Sequence, residues 1–144
     1  MELTDFRNVV LDTAPCIYFL EGSVSDRRRM LMDPLIESAE SGEMQVSVST
    51  LSVTELLTGP LRKRDRMAEA RTRLFLSELC NVVPVDFEVA DAAARLRARH
   101  RLRTPDALVC ATGLVIGADA IVGNDERWKR VADLPYVHLD DIVG

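Results

Sequence analysis

Residues 8–12 have the sequence NVVLD, a short apolar run that ends in an aspartate. Three successive apolar residues, two of them valine, predict a strand that is buried on both faces. Residues 14–20 then predict a helix, with Pro15 near its start, where the missing backbone N–H costs least. This part of the chain is therefore expected to form a buried strand, a turn at Asp12 and a helix.

The same alternation continues along the chain. Apolar or valine-rich segments at residues 44–48, 81–85, 118–122 and 136–139 predict four further strands. Between them the sequence predicts helices at about residues 27–41, 50–57 (ended by Gly59-Pro60), 62–79, 86–99 and 104–116, and a short helix with Trp128 and Val131. Since parallel strands need crossovers that helices supply, the predicted fold class is α/β, with helices on both faces of a mostly parallel sheet of four to five strands.

Length and composition predict one domain over residues 1–144. Apolar residues make up 47% of the chain and charged residues 28%, which is typical of globular proteins. The three cysteines are odd in number and far apart, a pattern that predicts no disulfide framework and fits a reducing cytoplasm. The longest uncharged stretch, residues 107–118, is too short to span a bilayer, so no membrane role is expected.

Three carboxylates share one circumstance in this pattern. Asp12, Glu55 and Asp125 each come shortly after a predicted strand, where the chain turns into a helix. Because all strands of a parallel sheet point the same way, residues just beyond their ends gather at one edge, where α/β proteins bind ligands. Asp106 differs, since it lies in the first turn of the helix that leads into the fourth strand. Its position permits the same location but does not require it.

Carboxylates brought together repel one another and raise one another's pKa values unless a cation neutralises them. Carboxylate oxygens suit Mg²⁺ or Mn²⁺, which hold phosphate oxygens and lower the pKa of a bound water. Hydrolysis of a phosphodiester is the reaction that matches such a site. Each acid also has an ordinary structural explanation, because Asp12, Asp106 and Asp125 all stand where a helix begins, and residues 52–55 (SVTE) fit a capping box.

Four segments, in this order, resemble the PIN-domain nucleases and specifically the VapC-type toxins of toxin–antitoxin pairs. They are residues 9–13 (VVLDT), 52–56 (SVTEL), 105–112 (PDALVCAT) and 124–131 (NDERWKRV). Together they span nearly the whole chain. The resemblance depends on their order and spacing, since each segment alone is a weak pattern.

The resemblance implies a three-layer α/β/α PIN-like domain that cleaves RNA as a metal-dependent endoribonuclease. It also implies that Asp12, Glu55, Asp106 and Asp125 are the catalytic metal ligands for Mg²⁺ or Mn²⁺. Thr13, Thr104 and Asn124 would be supporting polar groups beside them. A homodimer and a cognate antitoxin protein are the implied partners, in the cytoplasm. A PIN nuclease that processes RNA without an antitoxin, and a non-catalytic Mg²⁺-binding interaction domain, remain open as alternatives.

Two positions depart from the family pattern. The family often has a small polar residue two places after its first aspartate, where this chain has Ala14, and often a threonine two places before its last, where this chain has Gly123. The net charge of −5 is also unusual for a nucleic-acid enzyme, because phosphate binding normally uses a basic surface. Acidic residues collected in one metal-filled cleft would lower the net charge without removing such a surface.

Basic residues cluster at residues 27–29, 62–73 and 95–103. Among them the loop with Arg99, Arg101 and Arg103 is favoured as an RNA-binding surface, because it leads to Asp106. Basic clusters on helices more often form solvated faces or interact favourably with the helix dipole. A structural role without RNA binding therefore remains an open alternative for these residues.

Other chemistries have less support. A phosphatase that uses Asp12 as its nucleophile would need a second aspartate two residues later, where Ala14 stands. The two histidines, His100 and His138, have no partner at a spacing typical of zinc sites or of a nucleophile–base pair, and both are expected on the surface.

Overall fold

Five parallel strands form the centre of the protein in a computed structural model that describes residues 5–23 and 25–142. Along the sheet their order is β3-β2-β1-β4-β5. Their bounds are β1 Asn8–Leu11, β2 Gln45–Ser49, β3 Cys80–Val83, β4 Ala120–Gly123 and β5 Tyr136–His138. Every pair of neighbours is parallel. The predicted α/β class and parallel sheet are thus confirmed, with all five strands present.

Helices supply the crossovers that parallel pairing requires. They are α1 Thr13–Glu21, α2 Arg27–Glu40, α3 Thr50–Lys63, α4 Arg66–Leu74, α5 Phe87–Arg99 and α6 Thr104–Val115. A π-helical turn, Phe75–Leu79, continues α4, and two short 3₁₀ helices follow at Glu126–Arg130 and Leu139–Asp141. Within the described ranges, no helix is long and apolar enough to cross a membrane.

The sheet separates two apolar cores, as a strand buried on both faces requires. Val9 and Leu11 of β1 belong to the core beneath α1 and α2, whereas Val10 belongs to the core beneath α5 and α6. All three side chains are fully buried. The three-layer α/β/α arrangement therefore follows from the alternating directions of the side chains in this one strand.

The boundary between α3 and α4 differs from the prediction. Gly59-Pro60 does not end α3, which continues to Lys63, and the helix predicted over residues 62–79 begins only at Arg66. The buried Pro60 gives up one backbone hydrogen bond without breaking the helix. The actual break is at Arg64, which has a positive φ of 54°, and at Asp65, whose side chain accepts a hydrogen bond from the Ala68 N–H.

One smaller expectation was wrong. His138 is buried rather than exposed, and its Nδ1 accepts a hydrogen bond from the Asp140 N–H at 3.1 Å. This bond is possible because β5 ends at His138 and the chain turns at once into a 3₁₀ helix. Trp128 is also buried and packs against β5, with its ring centroid 5.4 Å from that of Tyr136.

Gly113 in α6 marks the place where this helix lies closest to the sheet. A β-carbon there would come within 2.5 Å of Cδ1 and Cγ1 of Ile121 in β4. We therefore expect Gly113→Ala to lower the free energy of unfolding by about 1–2 kcal/mol through overpacking, in spite of the better helix propensity of alanine. Urea denaturation measures the change.

Ile121→Val provides the matched control for this substitution, because it removes Cδ1, one of the two atoms that the new β-carbon would meet. Combined with Gly113→Ala, it should give a double variant that is less destabilised than the sum of the single variants. Simple additivity of the two effects would show that close packing against Ile121 is not what selects glycine at this position.

Candidate active site

Asp12 follows β1 directly, at the carboxyl end of the central strand. Its backbone N–H donates to the Val122 carbonyl at 2.9 Å, which extends the ladder between β1 and β4 by one residue. It stands at the N-terminus of α1, but its side chain forms no capping hydrogen bond there. The capping explanation therefore does not account for an aspartate at this position.

The Asp12 carboxyl lies among other acids. Its pKa is raised to about 6, mainly by burial and in part by the charges of Asp106, Glu55 and Asp125, while a hydrogen bond with the Thr13 N–H acts in the opposite direction. These charges act on Asp12 because the three carboxylates lie near it. The four acids singled out in the sequence therefore share one edge of the sheet, and Asp12 is the member whose pKa is raised.

Glu55 reaches this edge from α3. The helix begins at Thr50 with Ser49 as its N-cap, so Glu55 stands in the second turn and not at the capping-box position that its sequence suggested. Its Oε1 accepts a hydrogen bond from the Thr13 hydroxyl at 2.7 Å, and Thr13 Oγ1 lies 2.9 Å from Ser52 Oγ. Thr13 thus links the start of α1 to the first turns of α3.

Asp106 reaches the same edge from α6, for a reason that concerns helix direction. A helix that feeds a parallel strand runs antiparallel to the sheet, so its N-terminus lies at the carboxyl edge. The Asp106 side chain is 14% exposed, and its Oδ2 accepts a hydrogen bond from Arg103 Nε at 3.1 Å. Arg103 is the N-cap residue of this helix, and Thr104 is its first residue. Thr104 is exposed, and its hydroxyl bonds to no described residue.

Asp125 follows β4 and begins the short 3₁₀ helix. Its carboxylate accepts three hydrogen bonds from Arg127: from the backbone N–H at 2.9 Å, from Nε at 3.0 Å and from Nη2 at 2.7 Å. The hydrogen bond to the Arg127 side chain, above all, lowers the pKa of Asp125. Two of the four carboxylates are therefore neutralised by arginines of the same chain.

Two tyrosines support the segment that carries Asp125. The Tyr136 hydroxyl accepts a hydrogen bond from the Asp125 N–H at 3.0 Å. The Tyr18 hydroxyl accepts one from Asn124 Nδ2 at 2.7 Å and another from Arg28 Nη1 at 2.9 Å. The Asn124 side chain therefore bonds to Tyr18 and not to a carboxylate.

Tyr18, Tyr136 and Arg127 were not singled out from the sequence. Arg127 could have been found, because a residue two places after an N-cap aspartate is well placed to donate to it. The tyrosines could not, since their roles depend on how α1 and β5 pack beside β4. Arg99, Arg101 and Arg103 border a separate pocket next to Asp106.

The donor chemistry of this edge fits a hard divalent cation. It offers four carboxylates, one of them buried among the others with a raised pKa and no capping bond to explain it. The side chains do not yet converge on one point, and among the described residues no group of three or more His, Cys, Asp or Glu side chains is arranged to hold a metal ion. Asp106 and Asp125 are instead turned towards Arg103 and Arg127.

Known proteins provide an independent comparison. The sequence pattern of the PIN domain family matches residues 9–134, which is most of the chain. Among curated proteins none matches by sequence. Several solved structures share the fold at low sequence identity.

One of them is VapBC2 from Rickettsia felis bound to a DNA fragment from its promoter, with a TM-score of 0.75 and 17% identity over 91% of this chain and 98% of that one. A toxin–antitoxin complex from Klebsiella pneumoniae matches with a TM-score of 0.72 and 21% identity over 91% of this chain and 97% of that one. VapC20 from Mycobacterium tuberculosis, a toxin that cleaves the sarcin–ricin loop, matches with a TM-score of 0.64 and 18% identity over 86% of this chain and 95% of that one.

The structural matches concern the fold alone, whereas the family pattern matches this sequence and covers all four carboxylate-bearing segments. The resemblance found in those segments is thereby confirmed: the chain belongs to the PIN domain family.

Proposed function

We propose that this protein is a metal-dependent endoribonuclease that hydrolyses RNA phosphodiester bonds and acts as the toxin of a type II toxin–antitoxin pair. The observation that carries the catalytic part is Asp12, whose buried carboxyl lies among three further carboxylates and forms no capping hydrogen bond. An edge of this kind is costly for the folded protein unless a cation occupies it.

Asp12, Glu55, Asp106 and Asp125 would hold Mg²⁺ or Mn²⁺ in this proposal. A divalent ion bound there supplies a water molecule of lowered pKa and neutralises charge on the scissile phosphate. The chain's own residues prepare the edge for it. Thr13 holds Glu55 by a hydrogen bond, and Tyr136 fixes the backbone of Asp125.

Arg103 and Arg127 have a double role in this proposal. Without a metal ion they neutralise Asp106 and Asp125 and hold these carboxylates away from a common centre. A cation held by these carboxylates would leave both guanidinium groups free to donate to phosphate oxygens, for which their planar geometry is well suited. The edge would then offer both acidic and basic groups to a substrate.

The proposed partners are an antitoxin protein and a second copy of the chain, and the proposed location is the cytoplasm. Solved structures that share the fold include toxin–antitoxin complexes. The surface also supports a protein partner, because Met67, Leu74 and Phe87 are large apolar side chains that are more than half exposed.

Cleavage of RNA is the direct test of the catalytic proposal. Purified protein with Mg²⁺ or Mn²⁺ should convert total cellular RNA into discrete fragments. Asp12→Asn or EDTA should reduce the rate at least about a hundredfold, because metal binding and water activation both depend on this carboxylate. Sequencing of the fragment ends identifies the target.

Asp33→Asn is the matched control, since Asp33 is an exposed aspartate in α2 that has no bonded partner among the described residues. Its cleavage rate should equal that of the wild type. Absence of cleavage by folded wild-type protein over a range of metals would favour the non-catalytic Mg²⁺-binding domain. Cleavage that no co-expressed neighbouring gene product inhibits would favour an RNA-processing enzyme without an antitoxin.

The stability of metal-free protein gives a second prediction. Because the pKa of Asp12 is about 6 in the folded protein and 3.8 is its ordinary value, the neutral form is favoured by folding. Wild-type protein should therefore lose stability relative to Asp12→Asn as the pH rises from about 4 to above 6. Above pH 7 in EDTA the variant should be more stable by about 1–3 kcal/mol, measured by urea denaturation.

Addition of Mg²⁺ or Mn²⁺ at pH 7.5 should raise the stability of the wild type and leave Asp12→Asn nearly unchanged. A variant that is less stable than the wild type in EDTA at this pH would contradict the assignment of Asp12 as an uncompensated buried acid.

Competition between arginine and metal gives a third prediction. Since Arg127 holds both oxygens of Asp125, Arg127→Ala should bind Mn²⁺ about two- to fivefold more tightly than the wild type in the absence of RNA. Lys129→Ala removes an equal charge from the same 3₁₀ helix, but Lys129 is paired with Glu126 and Asp141 outside the site. Titration calorimetry compares the two, and equal Mn²⁺ affinities would show that Arg127 does not compete.

A further inference from the structure

A pocket of about 390 Å³ lies beside the acidic edge, between the loop after α5 and the 3₁₀ helix after β4. Five arginines line it: Arg99, Arg101, Arg103, Arg127 and Arg130. We call it the arginine pocket. Its volume is within the range of small-molecule binding sites. Asp106 also lines it, so the pocket and the acidic edge share a wall.

The charge in the arginine pocket is not balanced by nearby acids. Arg103 and Arg127 are paired with Asp106 and Asp125, but Arg99, Arg101 and Arg130 form no ion pair with any residue in the described part of the chain. Such a concentration of free guanidinium groups is unexpected in a protein of net charge −5. It attracts anions, and guanidinium groups bind phosphate oxygens with two parallel hydrogen bonds.

The floor of the arginine pocket is apolar, which distinguishes it from a simple phosphate site. Leu102, Trp128 and Val131 form this floor. Trp128 is 1% exposed, and its buried indole Nε1–H has no hydrogen-bond partner among the described residues. A buried donor without a partner costs folding free energy.

The loop that forms one wall of the pocket is held in place by its own hydrogen bonds. Arg97 Nε donates to the Leu102 carbonyl at 3.1 Å, and the Leu102 N–H donates to the His100 carbonyl at 3.0 Å. The guanidinium groups of Arg99 and Arg101 therefore project from an ordered turn. A preorganised site of this kind loses less entropy when a ligand binds.

We propose that the arginine pocket binds one nucleotide of a single-stranded RNA, directly beside the bond to be cut. Arg99, Arg101 and Arg130 hold a phosphate, and the apolar floor takes the base. This inference rests on the proposed ribonuclease function. The shared wall at Asp106 places the bound nucleotide next to the carboxylates, so the pocket selects which nucleotide flanks the cleaved bond.

The combination of features favours a nucleotide over other anions. Inorganic phosphate would use the arginines but leave the apolar floor without a role. An acidic peptide would meet the arginines too, but a concave site with an apolar floor fits a flat heterocycle.

Binding of uncleaved RNA tests the proposal separately from catalysis. The probe is a short fluorescein-labelled single-stranded RNA in EDTA, with fluorescence anisotropy measured over a series of salt concentrations. The double variant Arg101→Gln/Arg130→Gln should bind at least tenfold more weakly than the wild type. The slope of log affinity against log salt should fall by about one to two, because two phosphate contacts are lost.

Arg62→Gln/Lys63→Gln is the matched control, because it removes the same charge from the end of α3. This helix starts at the carboxyl edge of the sheet, so its last turn lies at the opposite edge. The control should bind RNA within about twofold of the wild type. An equal loss of RNA affinity in the two double variants would mean that only overall charge matters. That result would overturn the assignment of RNA binding to the arginine pocket.

Competition experiments identify the bound group. At least one nucleoside 5′-monophosphate should displace the labelled RNA at a tenfold lower concentration than inorganic phosphate does, and Trp128→Phe should reduce this difference while its thermal melting confirms folding. Equal competition by phosphate would overturn the nucleotide assignment. Competition by a poly-glutamate peptide as strong as that by unlabelled RNA would overturn it in favour of an acidic protein partner.

The two proposals fail in different ways. If wild-type protein cleaves RNA but the arginine-pocket variant binds RNA normally, the proposed role of the pocket is wrong and the proposed nuclease activity is supported. If the pocket binds RNA as expected but no metal supports cleavage, the catalytic proposal is wrong and the RNA site stands.

Discussion

Parallel pairing around β1 is the constraint on which the rest of the protein depends. Because β1 has β2 on one side and β4 on the other, with both faces covered by helices, the residue that follows it emerges at the centre of the carboxyl edge. That residue is Asp12. The same topology brings the carboxyl end of β4 and the starts of α3 and α6 to this edge. The path of the backbone therefore places like charges close together. This repulsion adds to burial in raising the pKa of Asp12.

The chain limits that cost with its own side chains. Arginines neutralise Asp106 and Asp125, and a threonine hydroxyl stabilises Glu55, whereas Asp12 receives no comparable partner and carries the raised pKa. Hydrogen bonds or ion pairs therefore stabilise the charged forms of three of these acids. The charged form of Asp12 lacks this stabilisation and lowers the stability of the folded protein. A cation bound here would stabilise the folded protein mainly through Asp12, because the charged form of this acid is the one that its surroundings disfavour.

The sequence predicted the sheet well because strands buried on both faces leave a local trace in composition, as residues 8–11 illustrate. It failed at Pro60, which lies buried inside α3 and does not end the helix. At the candidate site the strand directions were enough to bring Asp12, Glu55 and Asp125 to one edge. The hydrogen-bond partners of these acids were not predictable, since Tyr136 reaches Asp125 only through the register of β5 against β4.

That register also accounts for the absence of a threonine that the family often has two places before its last aspartate. Gly123 occupies this position, and a β-carbon there would come within 3.0 Å of the Tyr136 hydroxyl and 3.1 Å of its ring. The absence of a side chain on β4 thus makes room for a side chain from β5. Its hydroxyl accepts the Asp125 N–H and so orders the backbone that presents the carboxylate. Gly123 and Tyr136 therefore belong together, because the small residue in β4 leaves space for the tyrosine of β5. The support for Asp125 thus comes from the neighbouring strand.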